Sequence, residues 1–425
     1  MNTFGYRLFS HPLLKNSAIV FAGSMGANVA GWLYHLFVGR ILGTEGYGEL
    51  AALLSLFYIL NVPSAVIQTV LVKFFSLFKT LGASGQEKKL LRIATAKILI
   101  FEGIGLAVIV IVSSWVSSAF HISSSWNITW IYLIFATYLI SIVNMSAMQG
   151  HQLFVAASAL GVFGMVLRFF FGVVFAFFGV GWTLIGNIIS NLVSYAISFI
   201  PIRFLTKAVE QPMSITRKDA FGFSVPTLIT TLGITLLFSQ DVLVVKRYFT
   251  GHEAGIYASL SVLGKVLFYA TSAVSFVLFP VISERSIRNH NHRRLVGAGL
   301  LFIGAICAGL TAVYFLTPGI VIFAFGKAFQ EAGAYMGLFA VFISFFSLSN
   351  ILVQTLLAMN RVKVWIIITV AAVVQVAGLF LIHDTIVRVI TVNIVVSAGL
   401  FLALLLYYGH ESRPSAISVS NHPSL

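Results

Sequence analysis

Twelve apolar stretches separated by short polar connections dominate this chain of 425 residues. A helix needs about 20 mainly apolar residues to cross roughly 30 Å of hydrocarbon. Stretches of that length predict membrane spans at approximately 17–40, 48–73, 94–116, 127–149, 153–179 and 182–203. Six more are expected at approximately 221–241, 255–281, 295–318, 332–359, 362–382 and 387–408. Only helices and closed barrels satisfy their own backbone in lipid, and spans this long specify helices, so the expected fold is all-α and integral to the membrane. Composition agrees: 59% of residues are hydrophobic and 9% are charged, against about 25% charged in soluble domains. No connection exceeds about 20 residues, which leaves no room for a soluble catalytic domain.

Arg7 and Lys15 precede the first stretch in the manner of a secretory signal. The run is longer than a signal core of about 7–15 residues, so a retained first helix is expected. The formal charge of +14 would suggest nucleic acid on a soluble protein, but here it follows from topology and no nucleic acid is expected. With both termini cytoplasmic, 19 of the 26 Lys and Arg residues fall on the cytoplasmic side. Arg40, Lys246, Arg247, Lys327 and Arg388 fall on the other side, where Trp115, Trp126, Trp130 and Trp182 form an aromatic belt. Cys307 stands alone, which excludes disulfides within the chain. The polar tail from Glu411 to Leu425 reads as disordered.

The phrase Arg40-Ile-Leu-Gly-Thr-Glu-Gly-Tyr-Gly-Glu-Leu50 closes the first span and opens the second. A related phrase, Arg247-Tyr-Phe-Thr-Gly-His-Glu-Ala-Gly-Ile-Tyr-Ala-Ser-Leu260, closes the seventh and opens the eighth. After a three-residue insertion, an offset of 210 places Tyr257 on Tyr47 and Leu260 on Leu50. Six spans separate the copies, so both halves enter the membrane with one orientation. That predicts a parallel pseudo-two-fold repeat with a central cavity. The expected lobes are 1–210, ending in a basic linker, and 211–410, with 411–425 as a tail.

The phrase at Arg40 to Leu50, set early in a chain of twelve spans, resembles the polysaccharide biosynthesis or oligosaccharide flippase family. That family is part of the superfamily of multidrug and toxin extruders and lipid II flippases. The resemblance implies a bundle that carries a polyprenyl-diphosphate-linked oligosaccharide between leaflets of a bacterial inner membrane. It implies as partners an undecaprenyl-diphosphate-linked glycan, membrane lipids, a glycan polymerase and other assembly proteins.

A charge at the bilayer centre costs at least about 2.5 kcal/mol, so it generally faces a cavity or a partner. Arg168 lies near the middle of the fifth span, and Lys265 lies ten residues into the eighth. Two cations facing one cavity suit a diphosphate, guanidinium by bidentate grip and ammonium as a point charge. The alternative is a carboxylate or carbonyl partner within each lobe. Glu102, inside the third span, is a candidate proton-coupling group or a counter-ion to Arg168 or Lys97. Asp241, at the end of the seventh, either lines the cavity mouth or pairs with Lys246. Arg40 and Arg247 stand at matching span ends, as receivers of the diphosphate or as snorkelling anchors.

Asn28 with His35, and Asn61 with Gln68, form polar stripes suited to sugar hydroxyls or to interhelical hydrogen bonds. Gly23, Ala27 and Gly31 form a small-residue stripe that reads as helix packing. Pro63, Pro226 and Pro280 mark bends, either static or used in transport. His290 and His292 sit among arginines, and no metal is expected there. The sequence carries no phosphate-binding loop ending in Lys-Ser or Lys-Thr, no nucleophile elbow and no metalloprotease helix, so neither cofactor nor catalytic residue is expected.

A flippase is therefore the expected function. A cation-coupled multidrug extruder of the same architecture is the alternative, but its cationic cargo calls for buried carboxylates and the first span has none. A membrane-embedded glycan polymerase would need a large outward loop. A scaffold gains nothing from two buried cations.

Overall fold

The computed structural model describes residues 12–211, 224–287, 293–359, 361 and 363–411. Among them no strand occurs, and the helices run as α1 (Pro12–Leu60), α2 (Val62–Thr80), α3 (Ser84–Ala119), α4 (Ser125–Gly150), α5 (Phe154–Ala176) and α6 (Val180–Ser198). After the short α7 (Arg203–Lys207) come α8 (Ser224–Tyr248), α9 (Gly251–Ile287) and α10 (Arg293–Leu316). The chain ends with α11 (Ile320–Phe325), a 3-10 turn (Lys327–Ala332), α12 (Gly333–Ala358), α13 (Val364–Leu381) and α14 (Ile386–Glu411).

Eleven segments of the described residues are long and apolar enough to cross a membrane, and they follow the second to twelfth expected spans in order. The first expected span forms the N-terminal part of α1. The protein is thus an all-α, multi-pass membrane protein. Two boundaries differ from the sequence reading for clear reasons. The expected second span, 48–73, is divided at Asn61, and Pro63 occupies the first turn of α2, where its missing N–H costs no hydrogen bond. α3 starts at Ser84 rather than near 94, because the basic stretch before the apolar run continues the helix beyond the hydrocarbon. The side chains of Lys15, Pro226 and Pro280, together with Arg7, His290, His292 and residues 412–425, lie outside the described residues.

α1 is two helices joined at Gly43, whose φ of 67° and ψ of −173° fall in a region essentially reserved for glycine. This break turns the chain from the first span into the second. Gly326, with φ 94° and ψ 175°, performs the same service between α11 and the 3-10 turn.

The chain divides into two compact units, 1–262 with 319–333, and 263–318 with 334–425. In the first, α4 is the central helix, and α1 packs along α5. The small-residue stripe makes that packing possible: a Cβ on Gly23 would stand 2.6 Å from Ser158 Cβ, and one on Gly31 would stand 2.7 Å from Met165. The connection after α6 is tied to the start of α3, where Arg92 pairs with Glu210 at 3.1 Å and Lys88 donates to the Ala208 carbonyl at 3.0 Å. Nearby, buried Glu87 meets His151 at 2.8 Å.

In the second unit, α9 and α12 touch closely enough that a Cβ on Gly264 would meet the Phe339 ring at 2.5 Å. The Tyr314 hydroxyl donates to the Leu263 carbonyl at 2.9 Å. Gln375 and Asn393, both fully buried, join α13 to α14 through a 2.7 Å hydrogen bond. Each satisfies a polar group that lipid would leave bare.

Candidate functional site

Arg168 projects from α5 onto α1. Its guanidinium carbon lies 4.7 Å from the centre of the Tyr34 ring, a cation–π contact that stabilises the charge without using its N–H groups. Tyr34 is itself fixed. Asn187 on α6 donates to its hydroxyl at 3.0 Å, and Gly172 on α5 leaves room for the ring. Tyr58, in the second part of α1, lies within electrostatic reach of Arg168. No hydrogen bond or ion pair joins Arg168 to any described residue, and its Nε is buried without an acceptor. The result is a half-buried cation, oriented by an aromatic face, with its donors available.

Lys265 is half-buried on α9, in the second unit. Asn61 accepts from Ser64 at 2.6 Å, which fastens the turn between α1 and α2. Gln68 donates to Gln149 at 3.3 Å, tying α2 to α4. Asn28 is exposed on α1. His35 is bonded by the Tyr47 hydroxyl at 3.1 Å. Asp241 is 1% exposed and accepts the Tyr257 hydroxyl at 2.7 Å, so the two tyrosines placed in register by the repeat each reach back to a polar residue on the preceding helix. Glu102 is 5% exposed, with both carboxyl oxygens buried and without a hydrogen-bond partner among the described residues. The Tyr132 hydroxyl lies beside it and donates to its main-chain carbonyl at 3.1 Å.

Arg40 and Arg247 are committed to main-chain carbonyls. Arg40 donates to Ala324 at 2.9 Å and to Phe323, at the C-terminal end of α11. Arg247 donates at 3.0 Å to Ala119, the last residue of α3. Unpaired carbonyls and the negative end of the helix dipole make such ends good sites for a cation. Between these two contacts the repeated phrases meet face to face. Thr44 Oγ1 lies 2.9 Å from His252 Nδ1, and a Cβ on Gly48 would stand 2.6 Å from the Gly255 nitrogen. Tyr47 is fully buried against Phe325, at 5.3 Å between ring centres, and Phe329, at 6.0 Å. Buried Glu49 accepts from the Ser123 hydroxyl at 2.8 Å and from Asn127 at 2.7 Å, and it acts electrostatically on buried Lys246.

Sequence reasoning missed Tyr34, Asn187 and the Thr44–His252 contact. Tyrosine and asparagine inside apolar runs carry no spacing signal of their own. For the glycines of the repeated phrase, the signal was present in the phrase itself.

A family described as "Polysaccharide biosynthesis protein" matches residues 37–334. No curated protein matches the chain. Among solved structures, the chain is similar to an inward-facing multidrug resistance MATE transporter of the MOP superfamily at a TM-score of 0.70 and 13% identity, over 92% of this chain and 96% of that one. It is similar to the lipid II flippase MurJ in an inward closed conformation at a TM-score of 0.72 and 13% identity, over 92% of this chain and 87% of that one. A MOP superfamily transporter from Pyrococcus furiosus, described as having a binding pocket of reverse polarity, aligns at a TM-score of 0.61 and 15% identity, over 94% of this chain and 97% of that one. At these identities the likeness is one of fold. The chain has the fold of the MOP superfamily transporters, and by the match across 37–334 it belongs to the polysaccharide biosynthesis protein family.

Proposed function

We propose that the protein is a flippase that moves a polyprenyl-diphosphate-linked oligosaccharide from the cytoplasmic to the outer leaflet of a bacterial inner membrane, in surface polysaccharide biosynthesis. The observation that carries this reading is Arg168, a membrane-embedded guanidinium seated on Tyr34 with no acceptor among the described residues. Keeping such a cation costs free energy, and an anion that visits and leaves gives a reason to keep it. Lys265 supplies a second cation at depth in the other half of the sequence. The two halves, 1–210 and 211–410, rock about a shared cavity that opens alternately to each side. Asn28, His35, Asn61 and Gln68 line the path of the sugar, and the lipid tail stays in the bilayer. Glu102 and Asp241 are the coupling candidates. The partners are an undecaprenyl-diphosphate-linked glycan and the proteins that polymerise it, and both termini are cytoplasmic. The protein performs transport, not catalysis.

The test is mass spectrometry of lipid extracts from cells whose copy carries Arg168→Ala or Lys265→Ala. Losing a charge-assisted contact to phosphate costs about 1.5–3 kcal/mol, so export falls by roughly tenfold to a hundredfold and the lipid-linked glycan accumulates. Normal export by both variants, with protein inserted at ordinary levels, overturns the cationic-cavity reading. Unchanged lipids, with heightened sensitivity to cationic drugs in cells lacking the protein, favour the extruder alternative.

A further inference from the structure

The two copies of the repeated phrase are fastened to each other at one membrane face, and we propose that this fastening is a gate whose parting releases cargo on that face, with Arg40 and Arg247 setting how firmly it stays shut. The inference rests on the transport reading above. Its first support is reciprocity. Arg40, from the first copy, reaches carbonyls that follow the third span of the second half, and Arg247, from the second copy, reaches the carbonyl that ends the third span of the first half. Each half therefore holds the other by the same device, as a pseudo-two-fold arrangement requires.

The second support is reversibility. The Arg40 contacts are part-buried to exposed and the Arg247 contact is part-buried. Water can replace the lost acceptor at both ends when the gate opens, and Arg247 Nε, buried without an acceptor among the described residues while it is shut, then reaches water as well. Where Gly48 lies against Gly255 the two backbones meet directly, and beside them Thr44 touches His252 and the Glu45 side chain lies over Gly251. Behind them sits an apolar seal of Tyr47, Phe325 and Phe329. Charge is matched across the seam: Lys246, next to the second copy, feels Glu49 and Glu45 of the first. Such a joint is firm as a set and weak contact by contact, which is what a two-state element needs.

The experiment uses the full chain with Cys307→Ser. A Thr44→Cys, His252→Cys pair replaces side chains that now stand 2.9 Å apart. Joining the pair by oxidation should abolish glycan export, and reduction should restore it. A reporter at Ser55→Cys, a buried position about three turns further along α1 than Thr44, is then labelled with a membrane-impermeant maleimide added from outside. Arg40→Ala with Arg247→Ala should speed that labelling on the order of tenfold, the factor that about 1.4 kcal/mol of lost closure produces, and lysine at both positions should give a smaller rise. Unchanged labelling in inserted double-alanine protein, or a cross-linked pair that exports at the reduced protein's rate, overturns the gate. If alanine variants fail to insert, the cysteine pair, which keeps both arginines, decides the matter. Because labelling needs no cargo, the two proposals fail separately. Faster labelling of the alanine pair beside normal glycan export by Arg168→Ala and Lys265→Ala sinks the flippase reading alone, and unaltered labelling beside a glycan-export defect in Arg168→Ala sinks the gate alone.

Discussion

Arg168 and Glu102 pose opposite problems in the same membrane. The arginine is stabilised by a ring face that spends none of its donors, while the carboxyl oxygens of Glu102 are buried with no hydrogen-bond partner among the described residues. Protonation switches such a carboxyl between charged and neutral forms, and the Tyr132 hydroxyl is a neighbour that feels the change. Glu102→Gln keeps volume and removes the titration. In proteoliposomes, the variant should lose the dependence of transport on an imposed pH gradient while its unfolding temperature stays within a few degrees of the parent. Unaltered dependence would assign Glu102 to packing. Both residues were legible in the sequence because a charge inside an apolar run is rare and costly. Tyr34 and Asn187, which orient Arg168, were not, because they stand 153 residues apart and only the packing of α1 against α5 and α6 brings them together.

At the level of elements, the spans were readable from hydropathy, whereas the way they end was not. Hydropathy gives a length of apolar chain and says nothing of backbone direction, which at Gly43 is set by a conformation other residues avoid. Gly43→Ala should lower stability by about 1–3 kcal/mol through backbone strain alone, since nothing lies within 4 Å of an added Cβ. Thermal unfolding in detergent measures this, and an unchanged midpoint would show that the turn between the spans adapts. The polar stripes divide by their surroundings. Asn61 and Gln68 are engaged in hydrogen bonds at helix junctions in this conformation, so sugar contact by either requires exchange of partners. The repeated phrase was legible as a repeat. That its copies touch was not, because periodicity along a chain does not say which faces meet.

For the molecule as a whole, the proposed orientation has both termini on the cytoplasmic side and the proposed gate on the other, and it can be tested directly. With Cys307→Ser as background, an impermeant maleimide added to intact cells should label Lys327→Cys and leave Thr80→Cys unlabelled until the membrane is broken; both parent positions are exposed. The reverse pattern would invert the transport direction assigned here. Fold class and family follow from many weak signals that agree, since composition, span count and the repeat all select one architecture. The reciprocal hold of Arg40 and Arg247 also bears on how the protein is made. The Arg40 acceptor lies 284 residues further along the chain. At about 5–20 residues per second, a ribosome needs roughly 15–60 s to deliver it. For that interval the first half waits in the bilayer with its terminal cation unmatched, and the nascent chain depends on lipid headgroups or the insertion machinery to shelter it.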